Sequence, residues 1–466
     1  MGLDSAIFFL FLAWVAILQA YLPERGRIAL LLCASLAFYA FSSVSYLFLL
    51  LMLCAINYWL LRGLSATEDP RRRDWFFAGA VVANLAVLIS FKYASELLSG
   101  VTAKFGWPGE GGKVARLAVP LGLSYFTFQM LSCVTDVYRQ SWRMEKGFSR
   151  FAVFGLFFPQ ITSGPIPRAP GLLPQLSCCP TAEDRLAGIR LIAYGLFKKY
   201  VVANRLSLYV SGVFDHPETA NTTSAFLTVC FSALQLYADF SGYVDIAIGS
   251  ARLLGIRLEP NFDRPYLSTS MTELWRRWHM SLSFWLRDYL YMPLVIRIRA
   301  LGKVGIALAL IITFAICGIW HAATWPFLLF GIAQGVALSA EFLTKPWRTK
   351  WLKRAPKRIV IMVASLYTLG FFALSQVLFR SSNLSQAGTV FSRLFHLRMS
   401  GSLNDLLGAR PYNFVWNCMA LAAWFAVATL RRRTSDRWTP WFAVLCGTLV
   451  LLLGSLGSAH FIYAAF

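Results

Sequence analysis

The stretch VGIALALIITFAICGIW (Val304–Trp320), HAAT (His321–Thr324) and WPFLLFGIAQGVALSAEFL (Trp325–Leu343) decides the fold class. About 20 mostly apolar helical residues cross the hydrocarbon core of a bilayer, and here two such runs are joined by a short connector that carries a lone histidine. The pattern recurs on both sides. Apolar runs extend over Ile7–Leu22, Ile28–Phe41, Tyr46–Leu61, Trp75–Leu98, Leu117–Val137, Phe148–Phe158, Leu186–Val213, Ala225–Leu254, Ile359–Phe379, Phe414–Leu430 and Trp441–Tyr463. The apolar set is 57% of the 466 residues and charged residues are 14%, against about 45–50% and about 25% in soluble proteins. A chain this poor in charge cannot cover a water-facing surface. The composition therefore excludes a soluble globule, a disordered chain, collagen, a coiled coil and a disulfide-stapled secreted module. It predicts an all-α polytopic integral membrane protein with roughly 11 to 13 transmembrane or re-entrant helices. Short polar connectors and the lack of a repeat make residues 1–466 a single membrane-embedded domain, read as N-terminal spans (1–150), a core (151–345) and C-terminal spans (346–466).

Lys and Arg number 44 against 22 Asp and Glu, a formal charge of +22. In a soluble domain that excess points to nucleic acid; in a polytopic chain it marks cytoplasmic loops, and no basic run outside an apolar segment is interleaved with stacking aromatics, so no nucleic-acid partner is expected. Arg71–Arg73, the Arg139–Arg150 loop, the Lys345–Arg358 loop and Arg431–Arg437 all read as cytoplasmic. Counting spans outward from them places both termini and the connector Arg380–Tyr412 on the far side. Ile7–Leu22 has Asp4 before it and no small-residue cleavage pattern after it, so it reads as a retained span. Cys178 and Cys179 sit in a loop; the other seven cysteines lie in apolar stretches, where cysteine acts as a small hydrophobe. No metal-ligand spacing is present.

Ionisable side chains inside a bilayer cost at least about 2.5–3.5 kcal/mol each, so they are functional-site candidates. Four places qualify. In Ser268–His279, Ser270 and Glu273 have capping-box spacing, and from there Leu274, Trp278, Leu282, Trp285 and Tyr289 fall on one helix face while Arg276, His279, Ser283 and Arg287 fall on another. The pattern fits an amphipathic helix lying in the membrane interface or a polar lining for a substrate cavity. In Cys317–Trp325, His321 is flanked by Trp320, Trp325 and small residues that let other backbones approach; with no acidic neighbour in sequence its imidazole reads as neutral and hence a proton acceptor, or as a structural histidine bonded to a carbonyl. In Leu236–Asp245, Asp239 and Asp245 are six residues apart and point about 120° away from each other on a helix. They either pair with arginines such as Arg276 or Arg287 to hold the core, or contact substrate. In Phe157–Arg168, three prolines and a glycine preclude a regular span, and non-helical backbone at membrane depth is tolerated only when buried or lining a cavity; a re-entrant loop beside a pocket, carrying Gln160, is the reading. His216, His396 and His460 lie in or near connectors or at the chain end and read as background.

In order along the chain, Phe126-Thr127-Phe128-Gln129, Phe158-Pro159-Gln160 with Gly164-Pro165-Ile166, Tyr194-Gly195-Leu196-Phe197-Lys198-Lys199, Asp239-Phe240-Ser241-Gly242-Tyr243, Asn261-Phe262-Asp263-Arg264-Pro265-Tyr266, Trp275-Arg276-Arg277-Trp278-His279, Leu286-Arg287-Asp288-Tyr289-Leu290 and Trp320-His321-Ala322-Ala323-Thr324-Trp325 resemble the membrane-bound O-acyltransferase (MBOAT) family, most of all its bacterial exopolysaccharide-acetylating branch. The likeness runs from about Ser35 to Arg393. It implies a helical fold around a central tunnel, with an acyl donor entering from the cytoplasm and 151–345 as the catalytic core. It implies that His321 matches the family's near-invariant histidine and His279 its second conserved position. Ala322 stands where the family often has glycine, which bears on acyl size. The resemblance further implies acetyl-CoA or an acyl-carrier thioester as donor, no permanently bound cofactor and no metal, and as acceptor an exported polysaccharide (alginate or cellulose, for example) or a periplasmic acetyl-transfer partner. The place implied is the bacterial inner membrane. His321 would act as general base and His279 would position donor or acceptor; Arg276, Ser283, Arg287, Asp239, Asp245, Trp320 and Gln160 would contact substrate. A transport protein without chemistry, a teichoic-acid D-alanyl transferase and a lipid acyltransferase are the alternatives.

Overall fold

The computed structural model describes residues 2–93, 119–352, 355–395 and 411–456, and every regular element among them is helical. Among the described residues, seven helices are long and apolar enough to cross a membrane: Glu24–Ser42, Val44–Ala66, Pro70–Lys92, Arg299–His321, Trp325–Lys350, Lys357–Arg380 and Tyr412–Arg433. Two shorter apolar helices, Ala6–Tyr21 and Thr439–Leu453, join them. The chain is a multi-pass, all-helical membrane protein. Where the runs carry polar residues, helix lengths depart from run lengths. The run Leu186–Val213 lies in a longer helical stretch, Ala182–Phe197, a π-helical turn Lys198–Ala203 and Asn204–Phe214. The run Phe148–Phe158 yields only the helix Phe148–Leu156.

Two compact units form, Met1–Ile189 with Ile246–Glu259, and Arg190–Asp245 with Pro260–Phe466. The helices Ala182–Phe197 and Thr222–Leu253 each pass from one unit into the other. Gln160 belongs to the first unit; His279, His321, Arg276, Ser283, Arg287, Asp239, Asp245 and Trp320 belong to the second.

In the first unit, the helix Ala6–Tyr21 buries Phe8, Leu12 and Val15, and Gln19 donates through Nε2 to the Leu254 carbonyl at 2.8 Å. Asn57 and Asn84, both fully buried, exchange amide hydrogen bonds of 3.2 and 2.7 Å between the helices Val44–Ala66 and Pro70–Lys92, so neither amide is left for lipid to face. After Leu156 the chain runs as successive turns to Gly164, with most of its residues buried, as the proline content demanded. Gly122 makes room for it: its φ is +70°, and a Cβ there would lie 2.1 Å from the Ile161 carbonyl oxygen. At the opposite, basic end, Arg73 donates to the Tyr138 carbonyl at 2.8 Å and the Tyr58 hydroxyl donates to the Lys146 carbonyl. Two of the loops assigned to the cytoplasm by their charge thus lie at the same end of the unit.

In the second unit, the opening stretch forms a tight antiparallel hairpin. A Cβ at Gly318 would lie 2.2 Å from the Phe327 carbonyl oxygen, and one at Gly331 would lie 2.1 Å from that of Phe314. Glycine therefore sets the distance between the helices Gly302–His321 and Trp325–Leu352. Gly331→Ala is expected to destabilise by about 1–3 kcal/mol, because the added methyl drives two backbones apart. Gly370→Ala is the control, since a Cβ there meets nothing within 4 Å and alanine is the better helix former. Thermal unfolding midpoints of the two variants in detergent should move in opposite directions.

Candidate functional site

The helix that begins at Met271 is capped as its sequence predicts. Ser270 Oγ accepts from the Glu273 N–H at 3.0 Å, and Glu273 Oε2 accepts from the Thr269 N–H at 2.9 Å. A second carboxylate, not legible beforehand, closes the same end. Glu341, buried on the helix Trp325–Leu352, accepts from the N–H groups of Met271 and Thr272 at 2.7 and 3.1 Å. Trp275 Nε1 donates to Gln334, and Gln334 Nε2 donates to Ser375 at 2.8 Å, which ties three helices of the unit together.

The amphipathic continuation is not there. The helix stops at Arg277, His279 takes φ +42°, and a separate helix, Met280–Leu286, begins after it. Such a left-handed conformation costs a non-glycine residue roughly 1–3 kcal/mol. Asn261 supplies the compensation: its backbone carbonyl accepts from Met280 N at 2.9 Å, and its side-chain Oδ1 accepts from Ser281 N at 3.0 Å and Ser281 Oγ at 2.9 Å. The single polar seam of Arg276, His279, Ser283 and Arg287 is therefore corrected. His279 is buried; Arg276 is exposed; Arg287 is exposed, pairs with Asp288 at 2.6 Å and lies over the Phe284 ring; Ser283 donates to the Trp278 carbonyl at 3.0 Å.

Asn261 also orients the imidazole. His279 Nδ1 lies 3.2 Å from Asn261 Oδ1, and that atom is identified as the oxygen because the Ser281 backbone N–H, which can only donate, points at it. Nδ1 is then the protonated nitrogen of the neutral ring, and Nε2 carries the lone pair. Asn261→Ala is expected to lower activity at least tenfold by releasing the ring and the turn. Asn261→Asp, which keeps an acceptor at the same place, should restore much of it, and assays of both variants check this.

His321 is the last residue of its helix and is 4% exposed. Its ring centroid lies 4.5 Å from that of Trp320, 5.0 Å edge-on from Phe379 and 6.2 Å from Phe327. His279 packs edge-on against Phe240 at 4.8 Å, and its neighbour Trp278 packs against Phe262 at 5.1 Å and Phe372 at 5.0 Å. Phe372 and Phe379 stand on the helix Lys357–Arg380, seven residues or about 10.5 Å apart along its axis. The segments carrying the two histidines thus line one aromatic wall two turns long.

The two intramembrane carboxylates are elsewhere engaged. The helix Thr222–Leu253 is continuous through Gly242, so Asp239 and Asp245 form no dyad. The expected partners Arg276 and Arg287 are also corrected: Asp239 takes Lys199 Nζ at 2.7 Å, both side chains 2% exposed, and Asp245 takes Lys198 Nζ at 2.9 Å with Arg431 at 3.5 Å. Lys198 and Lys199 stood in an apolar run opposite two carboxylates in another. Mutual need for a counter-charge was the signal that could have paired them. Gln160, in the first unit, donates to Gln129 Oε1 at 3.4 Å. His216 is exposed beside Glu218; His396 and His460 lie outside the described residues.

Comparison with known proteins gives a consistent set of likenesses. The profile described as the membrane-bound O-acyltransferase family matches residues 139–382. The chain is 34% identical over 402 residues to the probable alginate O-acetylase of Azotobacter vinelandii, covering 84% of this chain and 77% of that protein. It is 32% identical over 402 residues to the peptidoglycan O-acetyltransferase of Helicobacter pylori, covering 80% and 74%. To the teichoic acid D-alanyltransferase of Bacillus subtilis it is 27% identical over 337 residues, covering 68% and 82%.

Proposed function

We propose that this chain, which belongs to the membrane-bound O-acyltransferase family and is an O-acyltransferase held in the membrane by several helices, moves an acetyl group from a thioester donor on the cytoplasmic side to a hydroxyl for O-acetylation of an exported polysaccharide. The observation that carries the acetyl assignment is the likeness to an alginate O-acetylase along 84% of the chain. That likeness exceeds the 68% coverage found with the D-alanyl transferase.

The acceptor oxygen attacks the thioester carbonyl as His321 takes the hydroxyl proton. The C–S bond then breaks, and the thiolate leaves with that proton, so the products are an acetate ester and a free thiol. General-base help of this kind contributes about 10²–10⁴ in rate. The aromatic rings around His321 keep water from competing with the hydroxyl. His279, with its tautomer set by Asn261, positions donor or acceptor. Acetyl-CoA or an acyl-carrier thioester serves as donor. The acceptor is the polymer itself or a periplasmic acetyl-transfer partner, and the membrane is the bacterial inner membrane.

The test uses the full chain in sealed vesicles with labelled acetyl-CoA and then a labelled carrier thioester. Release of free thiol with label on added polysaccharide is expected. Passage of label without thiol release would identify a transport protein instead, and a preference for long chains in a donor-length series would identify a lipid acyltransferase.

A further inference from the structure

At the basic end of the first unit the helices Val44–Ala66 and Pro70–Lys92 and the segment after Tyr138 enclose a cleft of about 1060 Å³. Arg62, Arg143 and Lys146 line it from exposed positions, with Trp142 and Glu68 beside them. The other acids nearby are committed: Glu145 to Arg150 at 3.2 Å, Asp69 to Arg72 at 3.6 Å and Asp74 to the Tyr138 hydroxyl at 2.6 Å. Arg73, also on the wall, is spent on the carbonyls of Leu64 and Tyr138. Among the described residues, Arg62, Arg143 and Lys146 have no carboxylate within ion-pair distance, so three cations converge on a space with one acid, Glu68. The indole Nε1 of Trp142 is buried there with no hydrogen-bond acceptor among the described residues, a donor in need of one.

The level of the cleft is given by its neighbours. Trp59, one turn before Arg62 on the same helix, is 67% exposed, and Trp75, in the second turn of the helix Pro70–Lys92, is also exposed. Tryptophan facing outward at a helix end beside arginine and lysine marks the boundary between hydrocarbon and headgroups. A cleft of this charge at this depth meets phosphate.

We propose that the cleft formed by Arg62, Arg143, Lys146 and Trp142 binds a phosphate-bearing anion, and that its place among outward-facing aromatic residues makes that anion the headgroup of an anionic phospholipid. The cations neutralise the phosphate while the acyl tails lie along the exposed apolar faces below. Trp142 Nε1 supplies a neutral donor, which suits a phosphodiester oxygen.

The full chain in a neutral maltoside detergent is titrated with dioctanoyl phosphatidylglycerol and followed by its thermal unfolding midpoint. Dioctanoyl phosphatidylcholine has the same tails without the net charge, and coenzyme A has phosphate without the tails. Phosphatidylglycerol is expected to raise the midpoint in a saturable way and phosphatidylcholine to leave it in place. In Arg143→Gln/Lys146→Gln the apparent affinity should fall about 30-fold, two charges at about 1 kcal/mol each. Both side chains are exposed, so the midpoint without lipid should be unchanged; Arg62→Gln, on a separate helix, gives the same reading should the double variant not fold. An equal response to phosphatidylcholine, or undiminished affinity in the variants, would overturn the site. A response to coenzyme A that the variants lose, with none to phosphatidylglycerol, would overturn the lipid as its source.

Discussion

Replacing His321 by glutamine is expected to lower acetyl transfer about 10²–10⁴-fold while the protein still inserts and purifies. That loss corresponds to about 3–5 kcal/mol of transition-state stabilisation. Glutamine is the informative substitute because His321 is 4% exposed among Trp320, Phe327 and Phe379, and alanine would add a cavity to the lost chemistry. The check is twofold: the unfolding midpoint in detergent should stay near that of the parent, and thiol release from an acetyl thioester should collapse. A variant that still acetylates at the parental rate would remove His321 from the role of base. His279→Gln should behave differently. A residue that positions rather than exchanges protons should, when replaced, raise KM as well as lower kcat, so the split between the two constants separates the roles.

The second large effect is structural. Lys199 and Asp239 form an ion pair at 2.7 Å with both side chains 2% exposed. Removing one member strips a buried charge of its ion-pair partner, which costs about 3–5 kcal/mol. Lys199→Met and Asp239→Leu should each sharply reduce the yield of monodisperse protein. The double variant Lys199→Met/Asp239→Leu should recover most of it, since burying two apolar side chains of similar volume is often as stable as burying the pair. Size-exclusion profiles and unfolding midpoints measure both. If the double variant is well folded and still transfers acetyl groups, Asp239 holds the helix Thr222–Leu253 to the turn Lys198–Ala203 and does not handle substrate. If it folds and is inactive, the carboxylate has a part in the reaction.

These two experiments fall on residues whose legibility in the sequence differed. His321 stood out because the chain around it is simple: two apolar runs, a short connector and one titratable group. Its helix ends at that residue in the structure, and Gly318, three residues before it, is one of the points of close backbone approach that the small residues suggest. Asp239 is equally visible in the sequence, but its partner is Lys199 and not an arginine. The sequence offers Arg276 and Arg287 as counter-charges, whereas Lys198 and Lys199, which take the two carboxylates, stand in a separate apolar run. The seam through Arg276, His279, Ser283 and Arg287 failed for a related reason. Helical spacing assumes that the helix continues, and here Asn261, 18 residues before His279, takes the N–H of Ser281 and stabilises a left-handed residue that ends it.

What the sequence determined by itself was the class of the protein. Burying or immersing 57% apolar residues leaves no alternative to membrane helices, and local patterns of apolar length, caps and basic loops are read off neighbours in the chain. What only the tertiary structure decided was which polar groups meet. Lys199 with Asp239, Glu341 with the Met271 N–H and Asn261 with His279 lie 40, 70 and 18 residues apart. Inside a membrane every charge and every free N–H must find a partner, and that need states that a pairing exists without saying with whom. The choice belongs to the packing, because a hydrogen bond is settled within about 3 Å and no periodicity along the chain carries that distance.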